Sequence, residues 1–569
     1  MPGPGPEVAA VLAVFLTPLA AGLGPLVAKT FLPSGPGVGR AARIATSACT
    51  VLGLLAPPAA LVRLYPSVAG GGSVAFVLGL PSPLAISYLL DGPAWLACAL
   101  IAAAALGAGL HGLSAGGHPP VFWFFYLLAV SALYSCVLTA DLFNLFVSLE
   151  LLALCSYVLI AYKRTSASLW ASFSYLVTST AAVVFYLLGL YVVYGYAGTL
   201  SMPDAAAAIR SLGPVPPRDL RTALGFLTVA LGVRSAFAPF HAWLPEAHAA
   251  APHPVSALLS GATLAAGYFA LGRISSLVDV PALREGLRFA GVLTALTGGI
   301  FAIAQGDAKR LLAWSSVGHA GFCLAAFGSG SFAAGALHAL AHGAAKALLF
   351  LSVGSAADAA GSRDLSLLRG RAGLGPSLGI LVGTASLAGL PPLAGWGTKA
   401  LTLNSAGAGV AGAILTVASV LSAAAVFRLL PILGPFRIPA GSESVDPGGT
   451  PPSADASGQP GRARDAAALL LGLLPLAAVC VAGGLPRVLS AGSALASPGS
   501  GAPGAPEFGL AALGKTLTTA ASGAVLAILA GSRRGRRILG TWERRGTGAD
   551  AALRLVLAGA ALFALLGLP

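Results

Sequence analysis

Charged residues are scarce in this chain. Of 569 residues, 33 are Lys or Arg and 19 are Asp or Glu, so 9% are charged, whereas a typical soluble domain has about 25%. Hydrophobic residues make up 56% of the chain. The deficit of charge excludes an ordinary soluble protein. It predicts an all-α polytopic membrane protein, because a helix satisfies its own backbone groups inside lipid.

Cysteine is also sparse, and no two cysteines form a C-x-x-C pair. This spacing indicates neither a metal site nor a disulfide framework. No sizeable soluble domain is visible either, so we expect no cofactor and no metal in this chain. Whether the chain belongs to an enzyme stays open, because it shows no redox or hydrolytic site of its own. The six cysteines are Cys49, Cys98, Cys136, Cys155, Cys323 and Cys480.

The net charge of +14 could point to nucleic acid, but loops on one side of a membrane explain it better. Apolar segments of about 20 residues predict about sixteen transmembrane helices. Loops after the odd-numbered segments are richer in Lys and Arg, which predicts that they are cytoplasmic and that both termini lie outside. The segments are 8–28, 41–62, 92–112, 120–139, 141–162, 170–195, 221–241, 253–273, 283–304, 311–329, 333–355, 373–398, 404–430, 466–486, 509–531 and 551–568.

Proline interrupts two of these segments near their middle. Pro239 lies in the seventh segment, five residues after Arg234, and Pro391 and Pro392 lie in the twelfth, shortly before Lys399. A simple kink is the alternative explanation. Each interruption has a cation close by, and the two fall five segments apart. Interrupted helices at matching places in two halves are typical of inverted-repeat transporters, whose sites lie near the midplane.

A row of titratable residues stands out in the eleventh segment. His338, His342 and Lys346 follow one another at intervals of four residues, which places them nearly on one face of a helix. Ionisable groups inside a membrane are costly and indicate a function, here a proton relay. A metal site on the two histidines is the alternative. It is disfavoured because no carboxylate or cysteine completes it on this helix and Lys346 would repel the ion.

Further candidates lie in other segments. Glu150 is deep in the fifth, and Arg234 is its nearest plausible partner. Asp141 is either a helix cap or a member of the site. His319 is either a structural hydrogen-bonding group or a relay, and His241 lies near a helix end. Buried histidine and lysine can exchange protons near neutral pH, whereas arginine keeps its charge. The predicted relay groups are Glu150, His338, His342, Lys346 and Lys399, with one permanent cation at Arg234.

Six motifs in a fixed order carry a family resemblance. They cover roughly residues 90–430, and they resemble the antiporter-like proton-translocating subunits of respiratory complex I, Mrp-type Na⁺/H⁺ antiporters and membrane-bound hydrogenases. The motifs are DLFNLFVSLELLALCSY (141–157), GTLSMPD (198–204), FHAWLPEAHAAAPHPVSALLSG (240–261), DAKRLLAWSSVGHAG (307–321), LHALAHGAAKALLFL (337–351) and GLPPLAGWGTK (389–399).

The resemblance implies a fourteen-helix antiporter-like core with two inverted five-helix repeats and discontinuous helices 7 and 12. The first repeat would be residues 120–273 (helices 4–8) and the second residues 283–430 (helices 9–13). Helices 1–3 would occupy residues 1–119 and helices 14–16 residues 466–569. A Pro/Gly/Ser-rich stretch, 439–464, is predicted to be a flexible linker between core and C-terminal helices.

The resemblance also assigns residues. Glu150 falls at the family's glutamate of the fifth helix, Lys346 at the central lysine of the eleventh, and Lys399 at the charged position of the twelfth. This sequence departs from the family in its first repeat, which is poor in exchangeable groups. Arg234 replaces a lysine of the seventh helix. The departures at helices 6 and 8 are Ser174, Ser260, Thr263 and Ala265.

The expected function is that of a proton-translocating subunit of a multisubunit redox-driven complex, resembling complex I or hydrogenase, or of an Mrp-type complex. The alternative is a stand-alone cation/proton transporter, or a partner of an anion-uptake system. The expected partners are other membrane subunits, including further antiporter-like ones, and the expected place is the inner (plasma) membrane. The sequence leaves open which complex this is, whether Na⁺ is carried and which electron donor serves it.

Overall fold

The structure is a computed structural model, and it describes residues 5–31, 38–79, 85–116, 118–275, 277–434, 461–496, 510–532 and 535. Helices account for most of these residues. In chain order they are α1 (Pro6–Phe31), α2 (Val38–Val68), α3 (Gly92–Ala115), α4 (Pro120–Leu138), α5 (Leu142–Ile160), α6 (Ser166–Ala197), α7 (Met202–Ser211), α8 (Arg218–Arg234), α9 (Trp243–Ala250), α10 (His253–Leu258), α11 (Leu264–Ser275), α12 (Pro281–Ala304), α13 (Ala308–Gly328), α14 (Phe332–Ala360), α15 (Leu374–Ala388), α16 (Ala394–Ala406), α17 (Val410–Phe427), α18 (Gly461–Ala482), α19 (Pro486–Ala496) and α20 (Leu510–Gly531).

Eleven described helices are long and apolar enough to cross a membrane, and a bent pair, Gly472–Ala482 with Arg487–Ala496, would make a twelfth span. The chain is therefore a multi-pass helical membrane protein, as predicted. The count of sixteen stays a prediction, and the sixteenth predicted segment, 551–568, lies outside the described residues. Residues 439–460 of the predicted linker also lie outside them, and α18 begins at Gly461.

A β-hairpin interrupts the all-helical pattern, which the sequence did not predict. Strand β1 (Val74–Leu78) pairs antiparallel with β2 (Ile86–Leu90) in the register Val74↔Leu90. Both strands are rich in β-branched and aromatic residues, which favour strands. Each is only five residues long, too short to span a membrane. The hairpin therefore belongs to the connection between α2 and α3.

Loops from distant parts of the chain join at two separate faces. At the first, the loops before α13 and after α14 pair at Asp307↔Asp364, and Arg363 donates to Ala249 O. We name it the Lys163 face, because Lys163, in the 3₁₀ turn that follows α5, lies near Arg363 there. At the second, named the Asp91 face, isolated bridges join Tyr88 to Thr139 and Asp141 to Ser201. Arg273 also bonds Asp91 there at 2.7 Å. Successive helices therefore run between two faces.

Glycine allows α12 and α13 to pack very closely. A Cβ at Gly298 would collide with the backbone of Gly318, and a Cβ at Gly321 would collide with the backbone of Ala295. Small residues at such crossings let helix backbones approach in membrane proteins, where packing replaces the hydrophobic effect as the driving force. This contact fixes α13, which carries His319, against the rest of the bundle.

The two proline-containing segments are not continuous helices. Helix α8 ends at Arg234, and the α-helical backbone resumes only at Trp243. Helix α15 ends at Ala388 and is followed by the capping residue Gly389, which has φ +82°. The N–H of Leu390 donates to Ala385 O at 2.9 Å, the pattern of a glycine helix cap. Helix α16 then begins at Ala394. Both breaks thus expose helix-end carbonyls inside the protein.

Candidate functional site: a buried row of histidines and lysines

Three titratable side chains of α14 lie in the protein core. His338 and His342 are each 1% exposed, and Lys346 is fully buried. Their spacing of four residues places them along one side of the helix. The side chains that complete the site come from α13, α16 and α17, which pack around α14 or α13. The structure therefore brings together residues that are up to a hundred positions apart in the chain.

The histidines form a hydrogen-bonded chain with two hydroxyl groups. His319 Nδ1 lies 3.1 Å from His338 Nε2, and His319 Nε2 lies 3.0 Å from Ser422 Oγ. His338 Nδ1 lies 3.2 Å from Thr398 Oγ1. Each of these two imidazoles thus has a partner at both nitrogens, as a group that receives a proton at one nitrogen and releases one at the other requires.

His342 stacks onto this chain. Its ring centroid lies 5.1 Å from that of His319, and the rings are tilted by 23°. Its Nε2 has no hydrogen-bond partner among the described residues. It interacts electrostatically with Lys346 on one side and with His338 on the other. His342 therefore lies between the lysine and the hydrogen-bonded histidines.

Lys346 donates to a backbone carbonyl. Its Nζ lies 2.9 Å from Leu312 O, which also accepts the hydroxyl of Ser316 at 3.0 Å. Ser316 in turn lies 2.9 Å from Ser260, within the π-helical turn Leu259–Thr263 that joins α10 to α11. Within the described part of the chain, Lys346 has no carboxylate partner. A permanent charge without a partner would cost several kcal/mol at such a depth.

Lys399 uses the helix end that the second break creates. Its Nζ donates to Leu387 O at 2.9 Å, in the last turn of α15, where carbonyls lack helical partners. The negative end of the helix dipole also favours a cation there. The same Nζ lies 5.6 Å from the ring centroid of Phe322, and that ring is 5.7 Å from His338. Phe322 therefore separates Lys399 from the histidines.

Glu150 and Arg234 form a separate pair, as the sequence predicted. Arg234 Nη2 bonds Glu150, and Nη1 donates to Leu149 O at 3.0 Å. Arg234 is 8% exposed, whereas 36% of the Glu150 side chain is exposed. Arg234 is also the last residue of α8, so both breaks carry a cation at a helix C-terminus.

The secondary candidates have ordinary structural contacts. Asp141 is the N-cap of α5 and accepts from Asn144 N at 2.7 Å. Burial raises the pKa of the Asp141 carboxyl above the ordinary value and outweighs the hydrogen bonds from backbone N–H groups, which lower that pKa. The His241 ring packs against Trp314, with centroids 5.3 Å apart. His319, by contrast, is at the centre of the histidine chain.

A second group of titratable residues lies at the Lys163 face. The sequence places His253 near a helix end but does not predict its partners there. His253 Nε2 lies 3.0 Å from Asp358 Oδ1, and His111 Nε2 lies 2.9 Å from Ser355 Oγ. Lys309 is 1% exposed and donates to a backbone carbonyl in the loop between α9 and α10. Asp358 lies three further steps of four along α14 from Lys346, beyond the end of the predicted segment 333–355. The described residues hold no group of three or more His, Cys, Asp or Glu side chains placed to bind a metal.

Comparison with known proteins assigns the family. Residues 139–425 match the sequence profile described as NADH:quinone oxidoreductase/Mrp antiporter, TM. The chain belongs to this family. All the candidate residues from Asp141 to Lys399 lie within the matched region. The chain is thus an antiporter-like membrane subunit of the kind found in complex I and Mrp-type complexes.

Members of the family from several bacteria are similar over most of their length. NADH-quinone oxidoreductase subunit N of Desulforudis audaxviator is 36% identical over 373 residues, which cover 62% of this chain and 74% of the relative. NADH-quinone oxidoreductase subunit 14 of Thermus thermophilus is 32% identical, and the match covers 67% of this chain and 86% of the relative. These relatives are subunits of multisubunit complexes.

Solved structures show the antiporter-like fold. A chain of respiratory complex I from Thermus thermophilus superposes with a TM-score of 0.64 and 26% identity, covering 85% of this chain and all of that one. A chain of the Mrp complex from Dietzia sp. DQ12-45-1b gives a TM-score of 0.69 and 24% identity, covering 87% and 98%. The second likeness shows the fold alone. Both likenesses cover more of this chain than the family match does.

Proposed function

We propose that this antiporter-like subunit translocates protons through its second half. The observation that carries the proposal is the buried row His319, His338, His342 and Lys346, continued by Lys399. The His319 ring contacts the two other imidazoles, and Lys346 follows His342 by one helical turn. Intramembrane ionisable groups are costly and mark ion pathways. Every member of this row is able to gain or lose a proton, which arginine is not. The row has neither a carboxylate partner nor a metal-binding arrangement in the part of the chain that the structure describes.

Within this proposal each group has a place. Lys346 is the central relay, because it is fully buried and lies one helical turn after His342. His342 passes protons to the His319 ring on which it stacks, and the hydrogen bond between His319 and His338 carries them onward. Lys399, beyond Phe322, is the terminal group at the end of α15. A rotation of the Phe322 ring or an intervening water would complete the connection to Lys399.

The two interrupted segments support an inverted-repeat arrangement. We take α8 with α9 as discontinuous helix 7 and α15 with α16 as discontinuous helix 12, which places each in one five-helix repeat (120–273 and 283–430). The parallel rests on a cation at a buried helix C-terminus in both breaks: Arg234 at the end of α8, and Lys399 against the end of α15. Residues 1–119 and 466–569 then flank the core.

The two halves are unequal in this proposal. In the first half, Arg234 holds Glu150 and Leu149 O and keeps its charge. The π-helical turn of that half presents Ser260 and Thr263 rather than a titratable residue, and Ala265 follows it. We propose that Glu150 and Arg234 act as an ion pair that orients the first half electrostatically, whereas proton exchange takes place in the second.

The subunit would work in a multisubunit membrane complex with other antiporter-like subunits, driven by redox chemistry or by an ion gradient in a neighbour. Relatives named as quinone oxidoreductase subunits support the redox-driven form, and the Mrp likeness supports the ion-driven one. We place the complex in the inner membrane with the Lys163 face in the cytoplasm, because basic loop residues gather there. Both termini would then lie outside.

The test is proton transport by the assembled complex in membrane vesicles. Lys346→Ala is expected to abolish coupled proton movement while the complex still assembles, and Lys515→Ala, on α20 outside the row, is the matched control. Unchanged transport in Lys346→Ala would refute the relay. Purification of this chain alone with full transport activity would instead refute the multisubunit assignment and favour a stand-alone transporter.

A further inference from the structure

The relay row on α14 continues beyond Lys346. Further steps of four lead to Phe350, Gly354 and Asp358. Phe350 and Gly354 do not titrate, but a histidine from the α9–α10 segment covers each of them. The His248 ring packs edge-on against Phe350, with centroids 5.7 Å apart. The His253 ring lies so close to Gly354 that a Cβ at that position would collide with it.

The outer end of this extension reaches water. His253 Nε2 and Asp358 Oδ1 are 3.0 Å apart, and the side chain of Asp358 is 71% exposed, whereas that of His253 is 12% exposed. Helix α14 has 29 residues and is therefore about 43 Å long at 1.5 Å per residue, against a hydrocarbon core of about 30 Å. Asp358, two residues before its end, accordingly lies at the Lys163 face.

The inner end reaches the relay. His248 is fully buried, and neither of its ring nitrogens has a hydrogen-bond partner among the described residues. Phe350, on which His248 packs, lies one turn of α14 after Lys346, so His248 lies beside the helix that carries the relay. A buried imidazole without protein partners is unfavourable unless water hydrates it. If His248 only filled space, an apolar ring at this position would avoid the free-energy cost of burying two ring nitrogens without partners.

A structural ion pair that fastens α10 to α14 is the competing explanation for His253 and Asp358. It accounts for Nε2 but not for the opposite nitrogen, Nδ1, which is buried and has no partner in the described residues. It also leaves His248 unexplained. An imidazole that takes a proton at one nitrogen and releases one at the other uses both nitrogens.

We propose that Asp358, His253 and His248 form the proton path between the Lys163 face and Lys346. Asp358 takes a proton from water and passes it to His253 Nε2, and His253 then releases a proton from Nδ1 toward His248, so that no net charge stays on the ring. His248 delivers the proton to the Lys346 amine. This step rests on the proposed function of Lys346, and it gives Lys346 a connection to bulk water that avoids Arg234.

The experiment measures proton uptake by vesicles that contain the assembled complex, in weakly buffered medium. Asp358→Asn and His253→Gln are each expected to slow uptake by roughly 100-fold or more, because a positioned proton-transfer group contributes about 10²- to 10⁴-fold. Added imidazole buffer should restore the rate in Asp358→Asn, since a mobile base replaces the missing one. The controls on the same face are Asp364→Asn and His118→Gln, which should leave the rate unchanged. The His118 ring packs against Tyr162, next to Lys163, with centroids 5.7 Å apart.

A glycine substitution tests the geometry without removing any titratable group. Gly354→Ala displaces the His253 ring and is expected to slow uptake as His253→Gln does, whereas Gly195→Ala, which meets nothing within 4 Å, is not. Normal uptake in Asp358→Asn, His253→Gln and Gly354→Ala would overturn the path. If Lys346→Ala still abolished transport in that case, the proposed function would stand and only this path would fall. If Lys346→Ala also had no effect, both would fall.

Discussion

The pair Glu150–Arg234 allows a quantitative test of how a charge is held inside this subunit. Arg234 is nearly buried and has two partners on α5, the carboxylate of Glu150 and the carbonyl of Leu149. Glu150 is more than one-third exposed. The single substitutions Glu150→Leu and Arg234→Met therefore leave different unpaired charges. We expect them to lower the free energy of unfolding by different amounts.

Glu150→Leu leaves the Arg234 guanidinium buried with one carbonyl partner. Removing one partner of a buried pair costs about 3–5 kcal/mol, and this variant should fall in that range. Arg234→Met leaves a carboxylate that can be solvated or protonated, so we expect a smaller cost of about 2–3 kcal/mol. The double variant has no orphaned charge. It should be less destabilised than Glu150→Leu alone, with an interaction energy of about 2 kcal/mol or more.

The assay is the unfolding of the purified complex in detergent, followed by the loss of helical signal with increasing denaturant. Arg288→Met is the matched control, because Arg288 pairs with Glu285 in an exposed i,i+3 contact that should contribute about 0–1 kcal/mol. Additive costs in the double variant would refute the reasoning. So would a larger loss for Arg234→Met than for Glu150→Leu, which would mean that the guanidinium acts mainly through packing.

Two further predictions concern stability. Gly298→Ala should destabilise the subunit by about 1–3 kcal/mol, because the added methyl group meets the backbone of Gly318; Gly195→Ala in the same unfolding assay should not. Since burial raises the pKa of Asp141, its stabilising contribution is present at low pH and is lost as pH rises through the folded-state pKa. Asp141→Asn keeps an acceptor for Asn144 N. It should reduce the loss of thermal stability that accompanies a rise from about pH 4 to 7, as measured by the unfolding temperature. A steeper decline would contradict the assigned cause, and loss of transport in this variant would show that Asp141 is more than a cap.

Much of the fold could be predicted because the membrane imposes simple rules. Apolar length identifies spans, and the first eleven predicted segments each overlap a described helix, although α8 is shorter than predicted because the chain leaves the helix at Arg234. The β-hairpin was missed because five-residue strands have no long apolar run. The sequence also could not show that α14 extends to Ala360, since Asp358 reads as a loop residue when its partner His253 is unknown.

The sequence could predict the part of the candidate site that lies on one helix, but not the contacts that other helices contribute. The spacing of His338, His342 and Lys346 is a property of one helix, so the sequence alone places them on one face. The pair of Glu150 and Arg234 was a guess between two helices that the structure supports with direct contacts. Thr398 and Ser422, which bind the histidines, come from other helices, and hydroxyl residues are too common for their spacing to single them out.

The asymmetry between the halves follows from the same physical distinction. A buried cation can be kept only where partners hold it or where it is able to lose its charge. Arg234 meets the first condition through two acceptors on α5. As an arginine it stays charged and does not exchange protons. Lys346 and Lys399 each have a carbonyl acceptor and no carboxylate among the described residues, so they meet only the second. This difference is the physical reason for placing proton exchange, in the proposed function, in the half that contains them.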